Sequence, residues 1–194
     1  MIHFDKAHVP EPPTFDEAAR KPGNDWLASN PNAKRPMDFR SDFKGDLATG
    51  FRDLCAYSAM YEPVGTVDHF ISWKEDHSKA YDWSNYRYAS GWINSSKSKE
   101  PSQNLIDPFE VGDGWFEIQL PSLQLLVSNT VPDEYRERAE YVLKRLHLRD
   151  DERVMRQRQK WMEMYETQKI DIDGLEDVAP LIARAIRCRD GDRS

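Results

Sequence analysis

The sequence predicts an α+β fold in which a small strand, strand, helix unit at the centre is preceded by an extended proline-rich arm and followed by helices. Three observations carry this expectation. Gly65 to Ile71 holds β-branched and aromatic residues after a Pro63/Gly65 turn signal, which favours a strand. Tyr86 and Tyr88 alternate with Arg87 and Ala89, which favours a second, short strand. Beyond residue 131 the apolar spacing turns helical, with acidic residues opening the first run. The expected division is an arm over 1–37, a core with flanking helix and strands over 38–130, and a helical region over 131–194.

In order along the chain, Pro10, Pro12, Pro13, Pro22, Pro31 and Pro36 mark the arm, which shows little periodicity. Phe15 to Arg20 allows one or two helical turns. Phe4, Phe15 and Trp26 are the expected anchors of an arm wrapped over the domain, a free tail being the alternative. Phe39, Phe43, Leu47, Phe51 and Leu54 recur at steps of four, four, four and three, a helical stripe weakened by Gly45 and Gly50.

The first central strand ends in a polar loop from Lys74 to Ser84, and the second is followed, after Gly91, by about two helical turns ending before Pro101. Trp115 to Leu120 and Leu123 to Val127 predict a hairpin. A helix opening at Val131-Pro132-Asp133-Glu134 and continuing to about Leu146 should bury Ala139, Val142, Leu143 and Leu146. A second, from about Asp150 to Thr167, should bury Val154, Trp161, Met162 and Tyr165. A third, from Leu175 to about Arg187, should start or kink at Pro180.

The chemistry-bearing residues fall in the central unit. If the first strand lies against the helix, the Asp68 carboxylate and the Asn94 amide oxygen face one cation. Such a sparse, hard-oxygen donor set suits Mg²⁺ or Mn²⁺, which keep waters and accept phosphate oxygens. A neutral His69 beside them can take a proton from water near neutral pH. Neighbours on a regular strand point to opposite faces, so a shared site requires a twist or bulge at the strand end.

Asp68-His69, Asn85, and Asn94 followed three positions later by Lys97 resemble the signature of the HNH endonucleases, the ββα-metal class. The resemblance implies that Asp68 and Asn94 are metal ligands, His69 the general base, and Asn85 the residue that pins the loop around His69. Asn94 makes it the HNN variant. Lys97 then touches the scissile phosphate or caps the last helical carbonyls.

Cys55-Ala56-Tyr57-Ser58, Val67-Asp68-His69-Phe70, Asp82-Trp83-Ser84-Asn85-Tyr86-Arg87 and Leu146-His147-Leu148 further resemble HNH proteins of retron and Septu-type anti-phage systems. Those relatives carry two Cys-x-x-Cys pairs for a structural zinc. Here the positions read Cys55, Ser58, Ser90 and Ile93, so no structural zinc is expected, and Trp73, Trp83 and Trp92 are the expected packing substitutes. The resemblance implies a metal-dependent DNA endonuclease serving as a defence effector, with a partner ATPase. A catalytically inactive HNH-fold binding or regulatory module is the alternative.

Bulk properties bound the partners. The chain has 194 residues, 31% of them charged, and a net charge of −7, which argues against coating nucleic acid non-specifically and directs attention to a local basic surface. Residues 144–160 are the most basic segment, with seven cations against three carboxylates. There Arg149, Arg153, Arg156 and Lys160 share one helical face. It reads either as a phosphate-tracking surface or as a solvated, salt-bridged one. With Lys97 and Arg87 these arginines are the candidate DNA contacts. The absence of a membrane-length apolar run and of a secretory signal makes a cytoplasmic location the expectation.

Overall fold

A computed structural model of the chain describes residues 1–191. The architecture is α+β, with two separate two-stranded antiparallel sheets. The elements run α1 (Lys21–Ser29), α2 (Lys44–Gly50), β1 (Thr66–His69), β2 (Tyr86–Ala89), α3 (Gly91–Lys97), β3 (Phe116–Gln119), β4 (Gln124–Val127), α4 (Asp133–Arg145), α5 (Glu152–Glu166), α6 (Ile172–Val178) and α7 (Pro180–Gly191).

The arm is not extended throughout. Asp16–Arg20 forms a π-helical turn that runs directly into α1, the Lys21 N–H donating to the Asp16 carbonyl. Pro22 supplies a reason for the widened turn, because it has no N–H to donate and its ring crowds the carbonyl of the preceding turn. Phe15 anchors the segment at 0% exposure. Its ring meets Phe43, Trp83 and Tyr86 edge-on at 5.1, 5.2 and 5.8 Å. Burying one such ring contributes about 1.5–3 kcal/mol. Trp83 Nε1 donates to the Val9 carbonyl at 3.0 Å, closing the arm onto the central unit. Phe4 is buried as well, whereas Trp26 is only half-buried.

The stripe from Phe39 to Leu54 yields a shorter helix than its spacing predicts. A 3₁₀ turn over Ser41–Phe43 leads into α2, which ends before Arg52 and Asp53, both in the left-handed region at φ 56° and 53°. Leu47, Phe51 and Leu54 are still fully buried, so the stripe marks core even where it is not helix.

Strands β1 and β2 pair one to one, from Thr66 opposite Ala89 to His69 opposite Tyr86, with no bulge. Gly65 sets the entry to β1. A Cβ there would stand 2.5 Å from the Tyr88 ring, and the Gly65 N–H donates to the Tyr88 hydroxyl at 2.9 Å. β2 is buried at all four positions, so its tyrosines and their neighbours do not divide into core and solvent faces. Helix α3 packs on β1 and stops at Ser98, whose φ is 50°. Thus β1, β2 and α3 follow one another as a strand, strand, helix unit.

Strands β3 and β4 form the hairpin, with Phe116 and Ile118 buried and Glu117 and Gln119 exposed. Ala139, Val142, Leu143 and Leu146 all face inward from α4 and its last turn. On α5, Val154 is buried but Trp161, Met162 and Tyr165 are only partly covered. Arg158 takes the inner position instead. Its guanidinium donates to the carbonyls of Leu123, Leu148 and Arg149 at 3.0, 2.6 and 2.8 Å, and burial lowers its pKa to about 10. It ties the hairpin to the loop between α4 and α5. The third helical run is broken between Val178 and Pro180, at the proline.

One apolar cluster takes residues from the arm, the central unit and the C-terminal helices, from Met1 to Ile186. Trp83 lies within it and Trp92 against it. Trp73, expected to pack there, stands apart at the mouth of a cleft. Among the described residues, no helix is long and apolar enough to cross a membrane.

Candidate active site

Asp68 sits near the end of β1 and is only 2% exposed. A carboxylate that deep must be compensated. Its Oδ2 accepts from the Tyr57 hydroxyl at 2.6 Å and its Oδ1 from the Lys97 ammonium at 3.1 Å. Lys97, from the last turn of α3, also donates to the His69 carbonyl at 2.5 Å. One buried ammonium therefore fastens helix to strand. Tyr57 is pushed well above the ordinary phenol range by burial and by the neighbouring Asp68, so it remains a donor.

His69 is the last residue of β1. Its ring stands edge-on to Tyr86 at 5.2 Å, and Nε2 lies 2.8 Å from the Ala80 carbonyl. A carbonyl can only accept, so Nε2 carries the proton and Nδ1 keeps its lone pair. Burial, then the positive Arg40, lower the imidazole's pKa to about 4, against the Ala80 bond and the Asp68 charge, which act the other way. The ring is neutral at pH 7.

Asn85 holds the backbone beyond His69. Its Oδ1 accepts from the Ile71 N–H at 2.8 Å, and its Nδ2 donates to the carbonyls of Ile71 and Lys79 at 2.9 and 3.0 Å. The amide thus staples the chain leaving β1 to the loop that supplies Ala80, whose carbonyl holds His69. The 3₁₀ turn Trp83–Asn85, capped by the Asp82 side chain, delivers the amide to that point.

Asn94 Nδ2 points to two oxygens, Thr66 Oγ1 at 3.1 Å and the Val67 carbonyl at 3.5 Å. This fixes which end of the amide is which. Its Oδ1 carries no hydrogen bond among the described residues.

Asp68, His69 and Asn94 line one cleft of about 290 Å³, although β1 is regular and no bulge brings the first two together. The cleft opens at the strand end, where neighbouring side chains both reach it. Its walls carry Arg35, Arg40, Lys74 and Lys99. Among the described residues, Asp68 is the single carboxylate lining it.

The donor set for a cation is one carboxylate and one amide oxygen, and among the described residues no three His, Cys, Asp or Glu side chains converge as ligands. Hard oxygens of this kind fit Mg²⁺ or Mn²⁺ with waters or phosphate completing the shell. The position also accepts positive charge, since an ammonium already stands at Asp68 Oδ1. A divalent ion held by that oxygen would compete with Lys97.

Several expected nucleic-acid contacts lie elsewhere. Lys97 is 1% exposed, its ammonium committed to Asp68 and the His69 carbonyl. Arg87, opposite Asp68 on β2, is buried because it forks onto Asp107, Nε to Oδ1 at 2.8 Å and Nη2 to Oδ2 at 2.5 Å, and lies 3.9 Å over the Phe109 ring. Neither presents charge to a phosphate at the surface. Arg149, Arg153 and Arg156 are paired with Glu140, Asp151 and Glu152 at 2.5, 2.8 and 2.7 Å, and Arg149 precedes α5 rather than sharing its face.

Tyr57, Ala80 and Asp107 are the participants that spacing did not reveal. Of the four positions that the sequence resemblance compares with zinc ligands, Cys55 and Ser90 meet, Cys55 Sγ accepting from the Ser90 N–H at 3.4 Å, while Ser58 and Ile93 are buried. No protein-family model matches the chain, and no curated protein matches it.

Proposed function

We propose that the cleft is the active site of a metal-dependent phosphodiester hydrolase of the HNH kind, built on the β1, β2, α3 unit. The observation that supports it most is His69. Its Nε2 is tied to a backbone carbonyl, its Nδ1 has no hydrogen bond among the described residues, and its loop is stapled by Asn85 beside an aspartate and an asparagine in a cation-lined cleft.

In this reading His69 Nδ1 takes the proton from the attacking water. The low pKa makes the ring a weak base when the cleft is empty. A phosphate entering beside it brings negative charge, which favours the imidazolium and offsets the desolvation. Ala80 and Asn85 keep the ring's tautomer and direction through the transfer. Arg40 and the other cleft cations hold the phosphate. When bound, Mg²⁺ or Mn²⁺ stabilises charge building on the phosphate and its leaving oxygen. Asp68 and Asn94 are the residues that would hold it. The resemblance extends the proposal to DNA as substrate and to a defence effector working with an ATPase.

A second reading has its own support. Asp68 is buried and closed by Tyr57 and Lys97, as it would be in a fold that keeps the HNH shape as an inactive binding or regulatory module. His69→Ala separates the two. On the hydrolase reading it abolishes metal-dependent cleavage of plasmid and leaves DNA binding in EDTA unchanged; if wild type cleaves nothing under either metal, the module reading stands.

A further inference from the structure

We propose that the cleft and the depression beside it form a two-part site for single-stranded nucleic acid, a phosphate seat and a base seat sharing Trp73 as their common wall. The inference rests on the reading of the cleft as a phosphodiester site and adds the form of the substrate.

The phosphate seat is the cationic rim. Arg35, Lys74 and Lys99 have no ion pair among the described residues, in contrast to the paired arginines around α5. Arg40 has a carboxylate, Asp38, at 3.5 Å. In a chain of net charge −7, four cations around one buried carboxylate are a local reversal of sign. Such a concave positive region concentrates an anion.

The base seat is a depression of about 330 Å³ that Trp73 lines as well. That is the lower end of the range for small-ligand pockets. Leu27, Pro31 and Ala33 line it together with Trp73, His77 and Asn24. The two aromatic rings are stacked at 5.3 Å with only 20° between their planes. Because the rings stack, each covers the other's inner face and the outer faces are what can meet a base; the Lys74 ammonium lies 5.7 Å from the Trp73 centroid. Trp73 is outside the apolar core cluster and packs instead on His77. Asn24 has no side-chain hydrogen bond among the described residues, which leaves its amide free for a base edge.

A flat apolar face next to a row of unpaired cations matches the repeat of a nucleotide chain, a planar base joined to an anionic phosphate. A base-paired duplex keeps its bases stacked inside and cannot fill the depression unless a nucleotide is extruded. The occupant is therefore a single strand or a splayed end. The α5 arginines, already neutralised, take no part.

The test is fluorescence anisotropy of the full chain with a labelled 12-nucleotide single strand and the matching duplex, in EDTA so that cleavage does not intervene. The expected result is tighter binding of the single strand, weakened roughly 10-fold by Trp73→Ala and largely retained by Trp73→Phe, which preserves a stacking face. Lys74→Glu or Lys99→Glu should weaken both ligands and lower the salt dependence by about one ion. Unchanged melting temperatures certify the variants' fold. Equal affinity for duplex, single-strand binding indifferent to Trp73→Ala, or no binding of either ligand overturns the two-part site. Plasmid cleavage by a protein whose binding ignores Trp73 overturns this inference alone. Trp73-dependent binding by a protein that cuts nothing overturns the hydrolase reading and leaves the binding site standing.

Discussion

Lys97 and Asp68 form a buried ion pair, 3.1 Å between ammonium and Oδ1, with side chains 2% and 4% exposed. It joins the last turn of α3 to the end of β1 at the place where a metal ligand is expected, so the same carboxylate serves stability and the proposed chemistry.

Replacing Lys97 with Met keeps most of the stem and removes the charge. An uncompensated buried carboxylate costs about 3–5 kcal/mol. For a chain of this size that is a fall of roughly 6–20 °C in melting temperature in EDTA. Because a divalent ion can then neutralise Asp68 without competition, Mn²⁺ should raise the melting temperature of Lys97→Met more than that of wild type. A thermal-shift titration reads both effects. An Mn²⁺ response no larger than wild type's would sink the competition between Lys97 and a metal.

Tyr57→Phe removes one donor and nothing else of size. Leaving Asp68 Oδ2 without its partner should cost about 1–3 kcal/mol in urea unfolding. A loss below a few tenths would mean that water replaces the hydroxyl.

The His69 ring implies a pH dependence of stability whose sign is fixed by its lowered pKa. In the unfolded chain it titrates near 6.5 and in the folded chain near 4. Above 6.5 it is neutral in both states and folding carries no penalty. Between 6.5 and 4 the unfolded state binds a proton that the folded state refuses, so stability falls by at most about 1.4 kcal/mol per pH unit. The ring is partly exposed at the cleft, which makes that slope an upper bound. Chemical denaturation in EDTA across this window, compared with His69→Gln, isolates the contribution. An identical pH profile in the variant contradicts it.

Asp107→Ala tests the place of Arg87. If the guanidinium is a structural group, removing its carboxylate should cost about 3–5 kcal/mol of stability. A stable variant with weakened DNA binding would instead return Arg87 to the surface.

What could be read from the sequence divides along a physical line. Asp68, His69, Asn85 and Asn94 were legible because the short strand, strand, helix unit is nearly local, so spacing along the chain translates into proximity. Lys97 and Arg87 were misplaced because a basic side chain reads as solvent-facing until its carboxylate is located, and both partners, Asp68 and Asp107, are set by tertiary packing. Tyr57 was missed for the same reason, its partner Asp68 being set by packing. The arm misled in another way. Its prolines predict extended chain, but Pro22 is tolerated in a helical run whose preceding turn is widened. Arg158 defeated the apolar stripe on α5, since three carbonyls make a buried guanidinium affordable where periodicity expects a hydrophobe.

The measurement that tests the central claim most directly is cleavage of supercoiled plasmid by the purified chain in Mg²⁺, Mn²⁺ or EDTA, with His69→Ala alongside. The account predicts cutting that needs a divalent ion and falls by at least about 100-fold in the variant, the loss typical of a general base. Cutting that persists in EDTA, or that His69→Ala retains, contradicts it.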